Sequence, residues 1–61
     1  MKQREKQYYE DFAQSLIPLS NKDLLDIYEG AVTVWGETHS IRALKAVKIA
    51  HDEVMRRLEN K

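Results

Sequence analysis

The segment Leu19–Leu24 constrains the fold most, because it combines the signals that start an α-helix. Ser20 suits the N-cap position, and Asp23 stands three residues later, where a carboxylate completes a capping box. Leu19 and Leu24 occupy the positions whose side chains pair as a hydrophobic staple. Together with Gly36, which suits the left-handed position after a helix, the segment predicts a helix over about 20–35.

Two further segments have the apolar periodicity of amphipathic helices. The first has Tyr8, Phe12 and Leu16 four residues apart, predicts a helix over about 3–16, and is ended by Pro18. The second predicts a helix over about 40–59 from residues spaced by three and four: Leu44, Val47, His51, Val54 and Leu58. We therefore predict a single all-α domain over 1–61.

In this domain the helices over 20–35 and 40–59 should form an antiparallel hairpin, since a connection of about four residues joins neighbouring helices. The apolar residues of the middle helix cover about half of its circumference, more than the roughly 100° stripe of a surface helix. A 61-residue chain buries only about 60% of its unfolded surface, and this one has no cysteine for a disulfide. We expect a homodimer or higher oligomer, with the first helix packed in its own chain or exchanged between copies.

The sequence has no recognisable catalytic equipment. Its serines suit helix caps, and its two histidines, His39 and His51, lack metal-ligand spacing. We therefore expect no enzyme activity and no catalytic, cofactor-binding or metal-binding residues. His51 lies at the centre of an apolar helix face, which favours a neutral histidine in a core or interface; the alternative is a pH-sensitive contact in an oligomer.

The charge balance bears on the class of partner. Ten basic and ten acidic side chains give zero net charge, which weakens attraction to nucleic acid. The hairpin resembles a helix-turn-helix, but Glu37 follows Gly36 where an apolar turn residue is expected. A DNA-binding regulator is therefore an alternative function, and a structural oligomerisation module is another.

No apolar run approaches the roughly 18 residues of a membrane span, so we expect a cytoplasmic protein without a membrane partner.

Binding to a larger protein is the function that the sequence favours. Trp35, at the end of the middle helix, is the aromatic side chain expected to be partly exposed. Ile49 is expected to project from the third helix, away from the Leu44 side and among charged residues. These two and their basic neighbours are the candidate partner-binding residues: Trp35, Ile49, Arg42, Lys45 and Arg56. The pair Glu53 and Arg57, four residues apart, is expected to be solvated and weak.

The hairpin also resembles a known family. Leu19-Ser20, Leu24-Leu25, Tyr28 and Ala31, followed by Glu53–Leu58, are similar to the two helices of the sporulation histidine-kinase inhibitor Sda family. The resemblance covers only the hairpin and assigns no binding residue. It implies a mode of action, in which a compact helical hairpin inhibits a larger enzyme by occupying its surface. The residue pattern itself favours the same class, a small regulator or inhibitor, and the small size of the chain favours a bacterial origin or a phage-encoded inhibitor of a host enzyme.

Overall fold

A computed structural model describes the backbone of residues 2–60 and the side chains of residues 5–60; Met1 and Lys61, the ends of the predicted domain, lie outside the described residues. The chain forms three α-helices: α1 (Lys2–Leu16), α2 (Asn21–Thr38) and α3 (Ile41–Glu59). No strand occurs within residues 2–60, so the predicted all-α class is confirmed. None of these three helices is both long enough and apolar enough to cross a membrane.

The loop between α2 and α3 is shorter than predicted. The Ser20 hydroxyl caps α2 as expected, accepting a 3.1 Å hydrogen bond from the Asp23 main-chain N–H. The prediction that Gly36 ends α2 is wrong, because α2 continues to Thr38 and His39 takes the left-handed conformation, with φ of 52°. The N–H of His39 donates to the Trp35 carbonyl at 2.7 Å, which completes the last turn of α2.

The next helix begins at once after this cap. The Ser40 hydroxyl accepts a 3.1 Å hydrogen bond from the Ala43 N–H, so Ser40 is the N-cap of α3. His39 and Ser40 are therefore the whole connection between α2 and α3. So short a loop makes the two helices antiparallel neighbours, as predicted.

The core lies where the end of α1 and the start of α2 meet the middle of α3. Leu16, Leu24 and Ala50 are its buried members. The α1 helix packs against α3 of its own chain, and the small side chain of Ala50 allows close approach of neighbouring helices. Partly buried side chains surround this centre: Phe12, Leu19, Ile27, Tyr28, Ile49 and Val54.

Candidate protein-interaction surface

A buried carboxylate binds two arginine side chains near the end of α3. Glu53 is only 8% exposed, and its carboxylate accepts hydrogen bonds from Arg56, at 2.9 and 2.7 Å, and from Arg57, at 2.8 Å. The hydrogen bonds from Arg56, and then those from Arg57, lower the pKa of Glu53 from 4.5 to about 2. Glu53 is therefore a structural anion, and the expectation that the Glu53 and Arg57 pair is solvated is wrong, because α1 and its following turn cover that side of α3.

Arg57 extends this network to the other two helices. Its Nη1 donates to the Asn21 side-chain oxygen at 2.7 Å, at the start of α2. Its Nη2 donates to three main-chain carbonyls at the end of α1 and in the turn that follows it. These are the carbonyls of Leu16, Ile17 and Leu19, at 3.0, 3.2 and 2.7 Å. The C-terminus of a helix leaves carbonyls without partners and carries the negative end of the helix dipole. A single guanidinium thus joins the end of α1, the start of α2 and the last turns of α3.

The hairpin anchored in this way presents an apolar surface on the side away from α1, which we call the hairpin face. Two grooves lie along the α2 and α3 seam: one contains Leu25 and Leu58 and is bordered by Asn21 and Arg57, and another at the loop end contains Val32 and Leu44. Between the grooves the rings of Tyr28 and His51 lie with centroids 6.3 Å apart. The hairpin face consists of Leu25, Tyr28, Val32, Trp35, Leu44, Val47, His51, Met55 and Leu58.

The large exposure of this face distinguishes it from a core. Five of its aliphatic side chains remain 37–55% exposed, namely Leu25, Val32, Leu44, Met55 and Leu58. No charged residue occurs among its nine members. The prediction that the middle helix has a wider apolar face than one neighbour covers is therefore confirmed for the single chain. A core position for His51 is contradicted, since its side chain is 54% exposed at the edge of the seam.

Of the predicted binding residues, Trp35 lies on the hairpin face. It is half-buried and lines the loop-end groove with Val32, Leu44 and Val47. Its indole ring lies 4.8 Å from the His39 ring, measured between centroids. An aromatic side chain at the rim of an apolar groove is well placed to become buried by a partner.

The other predicted binding residues lie elsewhere. Ile49 is half-buried and packs against the core cluster, so its expected exposure is wrong, because α1 covers that side of α3. Arg42 and Lys45 lie beside α1, where the Arg42 Nε is 3.9 Å from the Glu5 carboxylate. The Lys45 ammonium lies 5.1 Å from the centroid of an α1 tyrosine ring. The candidates therefore do not form one surface.

The Arg56 side chain is also bound within the chain, by Glu53. Its guanidinium makes two hydrogen bonds to Glu53, and these raise the pKa of Arg56 above its ordinary value. Sequence reasoning missed most of the hairpin face, because it placed Leu44, His51 and Leu58 in a covered seam. The signal was present in the excess of apolar residues over what two neighbouring helices cover.

Comparisons with known proteins give no information about this surface. No family model matches the chain, and neither a curated protein nor a solved structure matches it. Among residues 2–60, no three His, Asp or Glu side chains are grouped so that they could hold a metal ion.

Proposed function

We propose that the chain is a small, non-enzymatic regulatory protein that acts by binding a larger protein through the hairpin face. The observation that supports this proposal is a set of five exposed aliphatic side chains on two neighbouring helices, with Tyr28 and Trp35 partly exposed beside them. Exposed apolar patches on small proteins are typical of contact sites, because burying them releases about 25 cal/mol per Å². Trp35 and Tyr28 add aromatic side chains of the type that contribute most to binding.

The anchoring of the hairpin favours this use of the surface. Arg57 holds the N-terminal end of α2 and the C-terminal part of α3 through side-chain hydrogen bonds, and the loop holds the other end through two helix caps. A surface carried by elements fixed at both ends loses little conformational entropy when it binds.

The resemblance to the Sda family favours the same mode of action, which is inhibition by occupying a protein surface. A cytoplasmic location and a bacterial or phage origin belong to this proposal.

Two valines of α2 provide a matched test. Val32, on the hairpin face, is 45% exposed, and Val34, about 160° further round the same helix, is 49% exposed. The tagged full-length chain and the variants V32D and V34D would each be used to capture proteins from lysates of candidate hosts. We expect one larger protein to bind the wild type and V34D and to be lost with V32D. Equal capture by both variants, or capture of no protein by the wild type, would refute the proposal.

A further inference from the structure

We infer that residues 5–11, in the N-terminal part of α1, form a hinged arm that leaves α3 as a unit while the rest of the fold stays intact. The side chain of Tyr9 holds the arm closed, and the hinge lies at Phe12. The arm covers a side of α3 away from the hairpin face, so this inference goes beyond target binding and does not depend on it.

The C-terminal end of α1 is fixed to the rest of the fold. Leu16 is fully buried in the core, and Phe12 packs against the same cluster. The carbonyls of Leu16 and Ile17 accept hydrogen bonds from Arg57 at 3.0 and 3.2 Å. The N–H of Leu19 donates to the Leu16 carbonyl at 3.2 Å, which closes the turn after the helix. Apolar and polar contacts therefore both hold this end.

The arm has far weaker contacts. Within it Tyr9 is half-buried, and the other side chains are exposed. Among the described side chains, none in the arm forms a hydrogen bond to α2 or α3, and the bond from Gln7 to Asp11 stays inside α1. The Arg42 Nε lies 3.9 Å from the Glu5 carboxylate, but both side chains are at least half exposed. Water and salt screen a pair of this kind, so it holds the arm weakly.

Tyr9 is the contact that closes the arm. The Lys45 ammonium lies 5.1 Å from the centroid of its ring, and the ring lines a groove together with Ala46. Two grooves, of about 430 and 690 Å³, share Tyr9, one towards Tyr8 and the other towards Ala13, so they flank the ring. Open space on both sides leaves this part of α1 in contact with α3 along a narrow line, where few dispersion contacts form.

The rest of the fold does not depend on the arm. The buried residues of the described chain all lie outside it: Leu16, Leu24, Ala43, Ala50 and Glu53. The most extensive contact between helices joins α2 to α3, and the contact of α1 with α3 is smaller. A short helical segment that loses its packing is marginally stable in water. The arm can therefore detach and unwind at a lower free-energy cost than unfolding of the whole chain.

Opening of the arm changes the surface of α3. The two grooves beside Tyr9 become one surface, which includes Ala46 and Ile49. These two side chains lie about 160° and 140° round α3 from Leu44 of the hairpin face. The arm thus covers a second apolar strip, and its opening equilibrium sets how often that strip is accessible.

Hydrogen exchange of main-chain amides, followed by NMR on the full-length chain, tests the inference. After correction for intrinsic rates, the amides of residues 8–11 should be protected at least about tenfold less than those of Leu16 and Ala50. Their protection should be similar to one another, because the arm opens as a unit. Protection equal to that of Ala50, or a steady rise along α1 as in simple fraying, would overturn the inference.

The variant Gly30→Ala separates local opening from global unfolding. It stabilises α2, which stays folded when the arm opens, so exchange at Ala50 should slow about fivefold while exchange of the arm stays within about twofold. Low urea concentrations give a second readout on the wild type. They should speed exchange at Ala50 steeply and exchange of the arm only weakly, because opening exposes little surface.

The opposite pattern is equally clear. Arm amides that slow as much as Ala50 in Gly30→Ala, or that respond to urea as steeply as Ala50, would show that α1 unfolds only with the whole chain. Either result would overturn the arm, and the urea series decides the question even where Gly30→Ala leaves exchange at Ala50 unchanged.

The neighbouring tyrosines test the contact that closes the arm. Tyr8 is 64% exposed and is the matched control for the half-buried Tyr9. Both substitutions by Ala bring the same change in helix propensity, so their difference isolates the contact with α3. Arm amides should exchange about fivefold faster in Tyr9→Ala than in Tyr8→Ala. Equal exchange in the two variants would overturn the assignment of Tyr9 as the closing contact.

Discussion

The Arg57 guanidinium donates a 3.0 Å hydrogen bond to the main-chain carbonyl of Leu16, forty-one residues earlier in the chain. This contact ties the last turns of α3 to the end of α1, across the point where the buried core is centred. A chain of this size has little core to hold three helices in place. The Arg57 network supplies a specific polar connection between α1, α2 and α3 beside this core.

Loss of Arg57 should therefore cost far more stability than loss of its neighbour. Arg57→Ala removes the donor to five hydrogen-bond acceptors and leaves Glu53 with Arg56 as its partner. We therefore expect the free energy of unfolding to fall by about 2–4 kcal/mol. Arg56→Ala is the matched control, since Arg56 also binds Glu53 but its recorded hydrogen bonds stay within α3. Urea unfolding followed by circular dichroism measures both. Equal losses would mean that the contacts of Arg57 to α1 contribute nothing.

Acid should weaken the fold through Glu53. The pKa of Glu53 is lowered from 4.5 to about 2 by hydrogen bonds from Arg56 and Arg57, so the ionised form stabilises the folded state. That contribution is complete above pH 4.5 and is lost as the pH falls from 4.5 towards 2. We expect the melting temperature to fall across this window in the wild type.

The variant Glu53→Gln isolates this effect. It keeps the shape of the side chain but cannot titrate, so its melting temperature should start lower and change less between pH 4.5 and 2. Glu10→Gln, at an exposed position on α1, serves as the control and should follow the wild-type profile. Parallel profiles for the wild type and Glu53→Gln would show that other carboxylates govern the acid transition.

Local sequence signals are enough to predict the three helices, but they do not predict the residue at which α2 ends. Ser20 and Asp23 are close in sequence, and the hydrogen bond between them depends only on the local turn. The end of α2 depends instead on competition between two residues. Gly36 was the obvious terminus, yet His39 adopts the left-handed conformation, because Ser40 directly after it starts α3.

The contacts of Glu53 and Ile49 could not be read from spacing alone. A Glu four residues before an Arg looks the same whether the pair faces water or a neighbouring helix. What separates the cases here is the position of α1, which depends on packing across the whole chain. The presence of Ala46 and Ala50 on the same side of α3 as Ile49 is the signal that a helix approaches there. Sequence reasoning missed the hairpin face for a related reason. An apolar stripe on a helix does not show which of its side chains remain exposed to solvent after the helices pack.

Gly30 is a position where stability should increase. It lies inside α2 with no atom within 4 Å of an added Cβ, so Gly30→Ala should raise the free energy of unfolding by about 1 kcal/mol. Gly30 lies about 160° from Val32 around α2, so the substitution should leave capture of a target by the hairpin face unchanged. Thermal unfolding and capture by the tagged variant measure the two effects. Loss of target capture with unchanged stability would instead indicate that a partner backbone approaches Gly30.

Trp35 and Ile49 should respond differently to truncation, although the sequence suggests the same role for both. Ile49→Ala should lower the free energy of unfolding by about 1–3 kcal/mol, because Ile49 packs against the core under α1, and the folded protein should still capture its target. Trp35→Ala should lower the affinity for the target about tenfold or more while the helical circular dichroism signal remains. Binding titrations and urea unfolding on both variants provide the comparison. Reduced capture with Ile49→Ala, at a temperature where that variant is fully folded, would move the contact surface to the α1 side of α3.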